Sequence, residues 1–403
     1  MKASDPPFVF LITGEPSGDA LGGRLIAALR QRTGGNLRIA GIGGECMRDE
    51  GLGSLVPLDD LAVAGLAEVL PRAPVILRRV YETVAAIRAL RPDAVVTIDS
   101  SGFSWRIAHC LRRRGETLPL IHYVAPMVWA WRAGRARRMA RWYDHLMTLL
   151  PFEPPYFRQV GLSCIYVGHP VLESGADRGD AARFRNAHGL AESEMLITVL
   201  PGSRNAEVRR LLPIFGSAVE RLERLIGPFR VVVPTVGTVM AKVASAVRGW
   251  PGNPIVIRRP TAKYDAFAAS RAALAASGSV ALELALAKLP MVVGYRLNPL
   301  TEAILNRVLK VRQVNLVNLL LGRSLVCELL GPRCTPDRLA ASIARLVQDE
   351  RVRAGHRQGY DEVIRHLDTG GVSPSLRAAD QILEIIAARH CRGAALKAVP
   401  RRN

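Results

Sequence analysis

Short apolar runs alternate with longer segments of helical spacing along nearly the whole chain. The apolar runs span residues 9–13, 37–40, 94–98, 120–124, 146–150 and 164–167, and then 195–200, 230–233, 255–257, 272–275 and 291–293. Helical spacing is seen at 20–31, 74–90, 105–114, 206–225, 263–269 and 280–286. This alternation is typical of parallel sheets built from βαβ units. We therefore expect an α/β protein with two Rossmann-like, doubly wound domains that face each other across a cleft.

The alternation changes character at two places, which predict the domain boundaries. Residues 168–180 contain Gly-His-Pro and two further glycines among charged residues, a composition typical of a linker. After Thr335 the pattern is helical as far as about Cys391. We predict an N-terminal domain over 1–170 and a second domain over 171–370. A C-terminal helix over 371–391 is expected to pack back on the N-terminal domain, and a basic tail is expected over 392–403.

Composition narrows the classes of partner. Hydrophobic residues make up 49% of the 403 residues and charged residues 22%, as in a globular protein with sizeable cores. The net charge of +20 comes mostly from arginine, which suits nucleic acid, anionic lipid or a phosphorylated small molecule. Aromatic residues are only 5% and are not interleaved with the arginines, which argues against nucleic acid.

Cysteine usage and hydropathy indicate a cytoplasmic protein. The six cysteines are scattered without a C-x-x-C pair, so we expect reduced thiols and no zinc site. The N-terminal apolar run lacks the layout of a signal peptide, and no apolar stretch reaches the roughly 20 residues of a membrane span. Contact with a membrane surface remains compatible with this pattern.

Two turns of the second domain are candidate anion sites. Leu-Pro-Gly-Ser-Arg-Asn-Ala-Glu follows an apolar run and precedes a helical segment, so helix N–H groups and the guanidinium of Arg204 can hold a diphosphate together with Gly202 and Ser203. A second strand is followed by a turn that contains Ser277, Gly278 and Ser279, and a helix begins after this turn. There Glu283 can accept hydrogen bonds from ribose hydroxyls. The alternative for the first segment is an ordinary βα turn without a ligand. The alternative for Glu283 is a carboxylate that interacts only with the helix dipole.

The first domain opens with a similar turn, Gly14-Glu15-Pro16-Ser17-Gly18-Asp19. Its glycines permit a close backbone approach, and Ser17 or Asp19 can cap the following helix. Because a G-x-G-x-x-G fingerprint and a carboxylate near 36–41 are both absent, the segment does not favour a dinucleotide.

The chain resembles the lipid-A-disaccharide synthase family, inverting glycosyltransferases with two Rossmann-like domains of the GT-B type. The resemblance covers nearly the whole chain and rests on Gly14 to Asp19, Gly41 to Gly44, His122 to Pro126 with Val128 to Arg132, Leu150 to Glu153, Val167 to Pro170, Leu200 to Glu207, Ala276 to Gly278, Pro290 to Arg296, and Asn318-Leu319 with Gly322-Arg323. It implies that UDP-2,3-diacylglucosamine and 2,3-diacylglucosamine 1-phosphate are joined into a β-1,6-linked disaccharide with release of UDP. It also implies a role for Asn318 in the cleft, although an asparagine at a helix start is often a cap.

Catalysis requires stabilisation of the departing UDP and a base for the acceptor hydroxyl. No D-x-D motif is present to hold a divalent ion, so we expect Arg204 and the helix starts to stabilise the leaving group without a metal or other cofactor. The resemblance leads us to expect I-D-x-P-D-F after residues 94–98, but this chain reads Ile98-Asp99-Ser100-Ser101-Gly102-Phe103. Since Gly102 replaces the second carboxylate, Asp99 is the first candidate base. A helix cap at Asp99 and a catalytically inactive relative are the open alternatives.

Further residues are expected on the acceptor and membrane sides. Glu15, Ser17, Asp19, His122 and Trp129 are candidates for the cleft, and Glu15, Asp19 and His122 are also alternative bases. An apolar helical face flanked by arginine predicts contact with an anionic bilayer through Leu66, Val69, Leu70, Val75, Ile76, Arg78 and Arg79. The family resemblance implies that this surface is the inner face of the inner membrane. Ordinary domain core is the alternative for this face.

Other functions also fit parts of the sequence. A GT-B enzyme that uses UDP-GlcNAc with a different acceptor, or a UDP-GlcNAc epimerase, would need the same turns in the second domain. A homodimer is compatible with the sequence. An activity that depends on the acyl chains of the substrates would favour a lipid-A-disaccharide synthase over both of these UDP-GlcNAc enzymes.

Overall fold

The computed structural model describes residues 5–61, 66–130, 134–296 and 313–398. The chain divides into two compact units, one with residues up to Pro170 together with the segment from Thr369 onward, the other with Val171–Asp368. Each unit contains a six-stranded sheet, and all the strand pairs in both sheets are parallel. The expected α/β class is confirmed.

The first unit forms its sheet in the order β2-β1-β3-β4-β5-β6. Its strands are β1 Phe8–Thr13, β2 Arg38–Ile42, β3 Ala94–Ile98, β4 Leu120–Tyr123, β5 His145–Thr148 and β6 Ser163–Tyr166. The helices are α1 Pro16–Arg32, α2 Glu45–Asp49, α3 Leu66–Leu90, α4 Ser101–Arg113, α5 Gly134–Met139 and α6 Pro154–Arg158. The central strands β1 and β3 are buried along their whole length, because helices cover both faces of a parallel sheet.

The second unit forms its sheet in the order β12-β11-β10-β7-β8-β9. Its strands are β7 Leu196–Leu200, β8 Arg230–Pro234, β9 Ile255–Ile257, β10 Ala272–Ala276, β11 Met291–Tyr295 and β12 Cys327–Leu330. The helices are α7 Ala181–His188, α8 Asn205–Ile226, α9 Met240–Val247, α10 Pro260–Ala269, α11 Val280–Leu286, α12 Leu316–Leu321, α13 Pro336–Gln348 and α14 Glu350–Leu367. The larger of its cores joins α8 and α13 to one face of the sheet around Phe215.

The last helix, α15 Pro374–Ala398, belongs to the first unit and packs against α1. Its residues Ala378, Ile382 and Ile386 enter the core that lies over β1 and β3. Arg32 and Asp380 form an ion pair of 2.8 Å at the surface of this contact. The chain therefore returns to the first unit after completing the second.

Each sheet has a topological switch point, where the chain turns from building one side of the sheet to building the other. In the first unit β2 and β3 lie on opposite sides of β1, so the switch point lies between β1 and β3. In the second unit β8 and β10 lie on opposite sides of β7, so it lies between β7 and β10. Ligands of open α/β sheets bind at such points, outside the carboxyl ends of the strands.

Candidate functional site

The two candidate anion turns of the second unit follow the strands that flank its switch point. Leu200 at the end of β7 pairs in register with Ala275 near the end of β10. Residues 201–204 follow β7 and residues 277–279 follow β10. The topology therefore places both turns at the same edge of the sheet, on neighbouring strands.

The turn after β7 depends on glycine at position 202. The φ angle of Gly202 is +108°, a conformation that residues with a side chain rarely adopt. A Cβ atom added at Gly202 would lie 2.2 Å from Oε2 of Glu207, which folds back from the first turn of α8 and accepts a hydrogen bond of 3.1 Å from the backbone N–H of Ser203. Burial raises the pKa of Glu207. This carboxylate fixes the turn in its bent form.

Arg204 is the N-cap residue of α8, and its side chain is exposed. Its backbone carbonyl accepts the first hydrogen bonds of the helix, while its guanidinium forms no ion pair with any residue that the structure describes. A permanently charged group beside the positive end of a 22-residue helix is suited to an anionic ligand.

The turn after β10 carries Ser277, Gly278 and Ser279, and both Gly278 and Ser279 are exposed. Glu283, in the first turn of α11, is already engaged, because Nζ of Lys263 donates a hydrogen bond of 2.5 Å to its Oε2. Both side chains are about one quarter exposed, at 24% for Lys263 and 23% for Glu283. A ribose bound by Glu283 would therefore share this carboxylate with a lysine. Sequence reasoning missed Lys263, since no local pattern links two residues that are 20 positions apart.

Asn318 has a structural role that the resemblance did not imply. The cap of α12 is Asn315, whose side chain accepts a hydrogen bond of 2.8 Å from the N–H of Val317. Asn318 is 1% exposed, and its amide donates to the carbonyl of Val326 and to Oε1 of Glu328 while it accepts from two backbone N–H groups. The four hydrogen bonds of its side chain join α12 to the approach to β12. The expected place of Asn318 in the cleft stays a prediction.

At the switch point of the first unit, Ser17 meets Asp99. The Oγ atom of Ser17, in the first turn of α1, lies 3.4 Å from Oδ2 of Asp99, which directly follows β3. The N-cap position of α4 is occupied by Ser100, whose side chain makes no capping hydrogen bond. The carboxylate of Asp99 is therefore directed to α1, and it does not occupy the N-cap position of α4.

Backbone strain is concentrated at this edge of the first sheet. Asp99 and Ser100 have φ angles of +52° and +47°, and Val124, which follows the neighbouring strand β4, has a φ angle of +82°. Such conformations cost free energy and are found most often at functional sites. Glu15 is the N-cap residue of α1 at the same edge. Gly102, near the start of α4, has open space on the side where a Cβ atom would lie. An added Cβ atom would approach only Nη1 of Arg106, at 3.8 Å.

Asp19 and His122 have structural roles that leave them poorly suited to act as bases. Asp19 is 5% exposed, and its carboxylate accepts hydrogen bonds of 2.7 to 3.1 Å from the N–H groups of Gly44, Cys46 and Met47 at the start of α2. His122 is fully buried in β4, where Nδ1 contacts Oγ1 of Thr97 at 2.7 Å and burial lowers its pKa to about 3. Both side chains belong to the core of the unit.

Trp129 is also buried rather than open to an acceptor. Its indole Nε1 donates a hydrogen bond of 3.2 Å to Oε1 of Glu153, and its ring packs edge to face against Phe152. Glu153 is 3% exposed, and burial raises its pKa to about 7. The hydrogen bond joins the segment after β4 to the turn after β5.

The predicted membrane-facing segment divides into exposed and buried residues. The side chains of Leu66, Val69 and Leu70 lie outside the described part of the chain. Val75 is 44% exposed, whereas Ile76 is buried in the core and so does not face a membrane. Arg78 pairs with Glu82, and Arg79 pairs with both Glu82 and Asp60. Leu77 and Tyr81, which sequence reasoning did not select, are 47% and 55% exposed.

The described residues contain neither a cluster suited to a metal ion nor a helix suited to span a membrane. No cluster of three or more histidine, cysteine, aspartate or glutamate side chains with the spacing of a metal site is present in this part of the chain. Among the same residues, no helix is both long and apolar enough to cross a bilayer.

One further residue near the second switch point was not foreseen. Thr235 follows β8, the neighbour of β7, and is 8% exposed. Its Oγ1 atom is buried and has no hydrogen-bond partner among the residues described. A single threonine after an apolar run does not reveal in the sequence whether its hydroxyl group is buried or which group it contacts.

The fold agrees with that of UDP-sugar enzymes of known structure. A putative UDP-N-acetylglucosamine 2-epimerase from Listeria monocytogenes aligns over 96% of this chain and 97% of its own, with a TM-score of 0.62 and 13% identity. Acinetobacter baumannii MurG aligns over 90% of this chain and 99% of its own, with a TM-score of 0.52 and 14% identity. At these identities the similarity establishes the GT-B type of fold alone.

Sequence comparison defines the family. The Lipid-A-disaccharide synthetase family pattern matches residues 9–382. The lipid-A-disaccharide synthase of Rhodospirillum centenum is 54% identical over 384 residues, which is 95% of this chain and 96% of that protein. That of Ruegeria pomeroyi is 44% identical and covers 93% of this chain and 94% of its own length. The chain belongs to the lipid-A-disaccharide synthase family of glycosyltransferases.

Proposed function

We propose that this protein transfers a diacylglucosamine unit from UDP-2,3-diacylglucosamine to 2,3-diacylglucosamine 1-phosphate, with inversion, to give the β-1,6-linked disaccharide 1-phosphate and UDP. The observation that carries the proposal is the family match over residues 9–382, together with 54% identity to a relative of that name. The position of the two anion-ready turns on adjacent strands supports it independently.

The UDP portion of the donor binds at the switch point between β7 and β10. The backbone of Gly202 and Ser203 and the guanidinium of Arg204 hold the diphosphate, while Ser277, Gly278 and Ser279 contact it from the neighbouring strand. Negative charge develops on UDP as the bond from its phosphate oxygen to the sugar C1 breaks, and preorganised positive groups stabilise that charge. Glu283, held by Lys263, accepts hydrogen bonds from the ribose.

Asp99 is the base for the acceptor. Its carboxylate takes the proton of the acceptor 6-hydroxyl as the hydroxyl oxygen attacks C1 from the face opposite UDP, so that the new bond forms while the bond to UDP breaks. The half-buried position of Asp99 at the switch point of the first unit and its contact with Ser17 support this role. Glu15 is at the same edge and is the alternative base.

The exposed part of α3 brings the protein to its acylated substrates at a membrane surface. Val75, Leu77 and Tyr81 are 44%, 47% and 55% exposed on a helix that also carries Arg78. Apolar side chains beside arginine bind the boundary of an anionic bilayer. The large positive net charge of +20 favours the same surface.

The direct test is to incubate purified protein with both acylated substrates and to detect disaccharide 1-phosphate and UDP by mass spectrometry. The assay is run with and without a chelator, since we expect no dependence on a divalent cation. UDP-GlcNAc alone and UDP-GlcNAc with the acceptor serve as controls for epimerase activity and for a donor without acyl chains. Failure to form the disaccharide, with UDP-GlcNAc turned over instead, would overturn the proposal.

A further inference from the structure

A basic groove lies on the first unit, beside α4. It has a volume of about 670 Å³ and is lined by Trp105, Arg106, His109, Arg135, Arg138 and Trp142. These residues come from one face of α4, from α5, and from the segment after α5. Arginine and tryptophan supply most of the lining, a composition suited to a ligand with an anionic group and a ring.

The aromatic side chains of the groove form a connected set. The rings of Trp105 and Trp142 meet edge to face with centroids 6.1 Å apart, and His109 lies 5.2 Å from Trp142. The guanidinium carbon of Arg135 lies 5.6 Å from the centroid of Trp105. These contacts give the floor of the groove a defined shape.

Trp105 has a hydrogen-bonding group that the described structure leaves unused. Its side chain is 8% exposed, and its indole Nε1 is buried with no partner among the described residues. Buried indole N–H groups are normally paired, because an unpaired donor costs free energy. A ligand that accepts a hydrogen bond after a small rearrangement of the groove would relieve this cost.

The charges of two arginines of the groove are not balanced by an ion pair among the described residues. Arg106 and Arg138 are exposed, and neither forms an ion pair within the residues that the structure covers. The only hydrogen bond of the Arg106 guanidinium in that part of the chain is to the carbonyl of Gly102, at 2.6 Å. By contrast, Arg112 on the same helix pairs with Asp144 at 2.5 Å. Unbalanced guanidinium groups beside aromatic rings bind phosphate through charge-assisted hydrogen bonds.

The groove begins beside the candidate base. Gly102, which also lines it, is three residues after Asp99, and its lack of a side chain keeps this end open. Arg106 lies five residues beyond the start of α4, on the order of 7 Å along the helix axis. A phosphate held at Arg106 would therefore lie about one sugar ring away from the end of β3.

We propose that the basic groove binds the phosphorylated sugar of the acceptor. Arg106 and Arg138 hold the 1-phosphate, and the sugar ring lies against the indole rings, so that the 6-hydroxyl, carried on C6 across the ring oxygen from C1, is directed toward Asp99. This assignment rests on the proposed function and adds to it the group that selects a phosphorylated acceptor. The groove distinguishes an acceptor with a phosphate from one without.

The test compares two double variants that remove the same charge from the same helices. Arg106→Gln with Arg138→Gln removes the groove cations, whereas Arg113→Gln with Arg137→Gln removes exposed arginines outside the groove lining. In neutral detergent micelles we expect the groove variant to raise KM for the phosphorylated acceptor at least about tenfold, and to leave KM for the UDP-sugar unchanged. KM for an acceptor lacking the phosphate is expected to stay within about twofold, as are all constants of the control variant.

A second measurement does not depend on turnover. Tryptophan fluorescence of the full-length protein is expected to change on titration with glucosamine 1-phosphate but not with glucosamine, and the groove variant is expected to lose the change. If wild type makes no disaccharide yet shows this binding, the proposed function fails and the groove remains a phosphosugar site. If wild type makes disaccharide while the groove variant keeps the wild-type KM, the groove assignment is overturned. It is also overturned if the variant loses only binding to phosphatidylglycerol vesicles, since the groove would then bind membrane lipid.

Discussion

Ser17 Oγ and Asp99 Oδ2 lie 3.4 Å apart, which joins the first turn of α1 to the end of β3. The two residues are 82 positions apart in the sequence and meet because β1 and β3 are adjacent at the switch point of the sheet. The Gly14-Glu15-Pro16-Ser17 turn and the carboxylate after β3 therefore lie together at this edge of the sheet.

Replacement of Asp99 tests whether it is the base. We expect Asp99→Asn to lower kcat by about 100-fold or more, because a positioned general base contributes at least that factor. KM for the UDP-sugar is expected to change little, since the proposed donor site lies in the other unit. Steady-state kinetics with saturating acceptor at several pH values gives both constants.

Ser17→Ala is the matched control for Asp99→Asn. It removes the hydroxyl contact at 3.4 Å and leaves the carboxylate in place, so we expect only a loss of a few fold in kcat. An Asp99→Asn enzyme with wild-type kcat would exclude Asp99, and Glu15→Gln would then be measured.

Arg204 is expected to act on the departing UDP. Arg204→Ala removes a charge-assisted contact worth on the order of 2 kcal/mol, which corresponds to roughly a thirtyfold loss in rate. Arg204→Lys keeps the charge but not the planar set of donors, so we expect an intermediate loss. Folding should be unaffected in both, because the side chain is exposed. Near-normal turnover of Arg204→Ala, measured together with UDP affinity by calorimetry, would contradict this role.

Asn318 is expected to affect stability rather than substrate binding. Asn318→Ala leaves the N–H groups of Leu325 and Val326 without their side-chain acceptor, and we expect a loss of about 1–3 kcal/mol in the free energy of unfolding. KM for the UDP-sugar should stay near that of wild type in the folded fraction. Urea denaturation and kinetics on the same sample separate the two effects. A variant of unchanged stability with a raised KM would instead support a place in the cleft.

The sequence pattern predicted some elements of the fold to the residue. The ranges 94–98, 255–257 and 280–286 coincide with β3, β9 and α11. The continuous apolar composition of a strand such as β3 follows from its burial on both faces, which makes it visible in a sequence. By contrast, β12 was missed, because its four residues include Cys327 and Glu328 and so do not form an apolar run.

The candidate site was harder to predict than the fold. Turns after strands were recognisable from glycine, serine and arginine, but the partners of each side chain depend on the topology. Asp19 and Glu283 both have the sequence context of ligand residues, yet one caps α2 and the other pairs with Lys263. Such contacts join elements that are far apart in the sequence, and a pattern of neighbouring residues does not contain them.

The exposed residues of α3 give a test of membrane contact. Replacing Val75, Leu77 and Tyr81 with serine removes three exposed apolar groups without opening the core, so we expect binding to phosphatidylglycerol vesicles to fall at least about tenfold. UDP binding should be unchanged. Leu225→Ser is the control, since Leu225 is 54% exposed in the second unit. Equal loss of vesicle and UDP binding in the triple variant would indicate a folding defect and not a membrane surface.

Glu153 is expected to make stability depend on pH. Burial raises its pKa in the folded protein to about 7 from an ordinary value of 4.5, so the folded state binds the proton more tightly than the unfolded state. The stabilising effect is complete below pH 4.5 and is lost as the pH rises toward about 7, with a total on the order of 3 kcal/mol. His122 and His169, whose pKa values are lowered to about 3 and about 4, change stability in the opposite direction as the pH rises toward 6.5.

The contribution of Glu153 is isolated by comparison with Glu153→Gln. The amide keeps an acceptor for Nε1 of Trp129 but does not ionise, and the histidine contributions are the same in both proteins. We therefore expect the difference in unfolding free energy, variant minus wild type, to increase from pH 5 to about pH 7 and to level off above that pH, whatever constant offset arises from the changed hydrogen bond to Leu150. Urea titrations across that range measure the difference. If it stays constant with pH, the buried carboxyl of Glu153 does not titrate in this range.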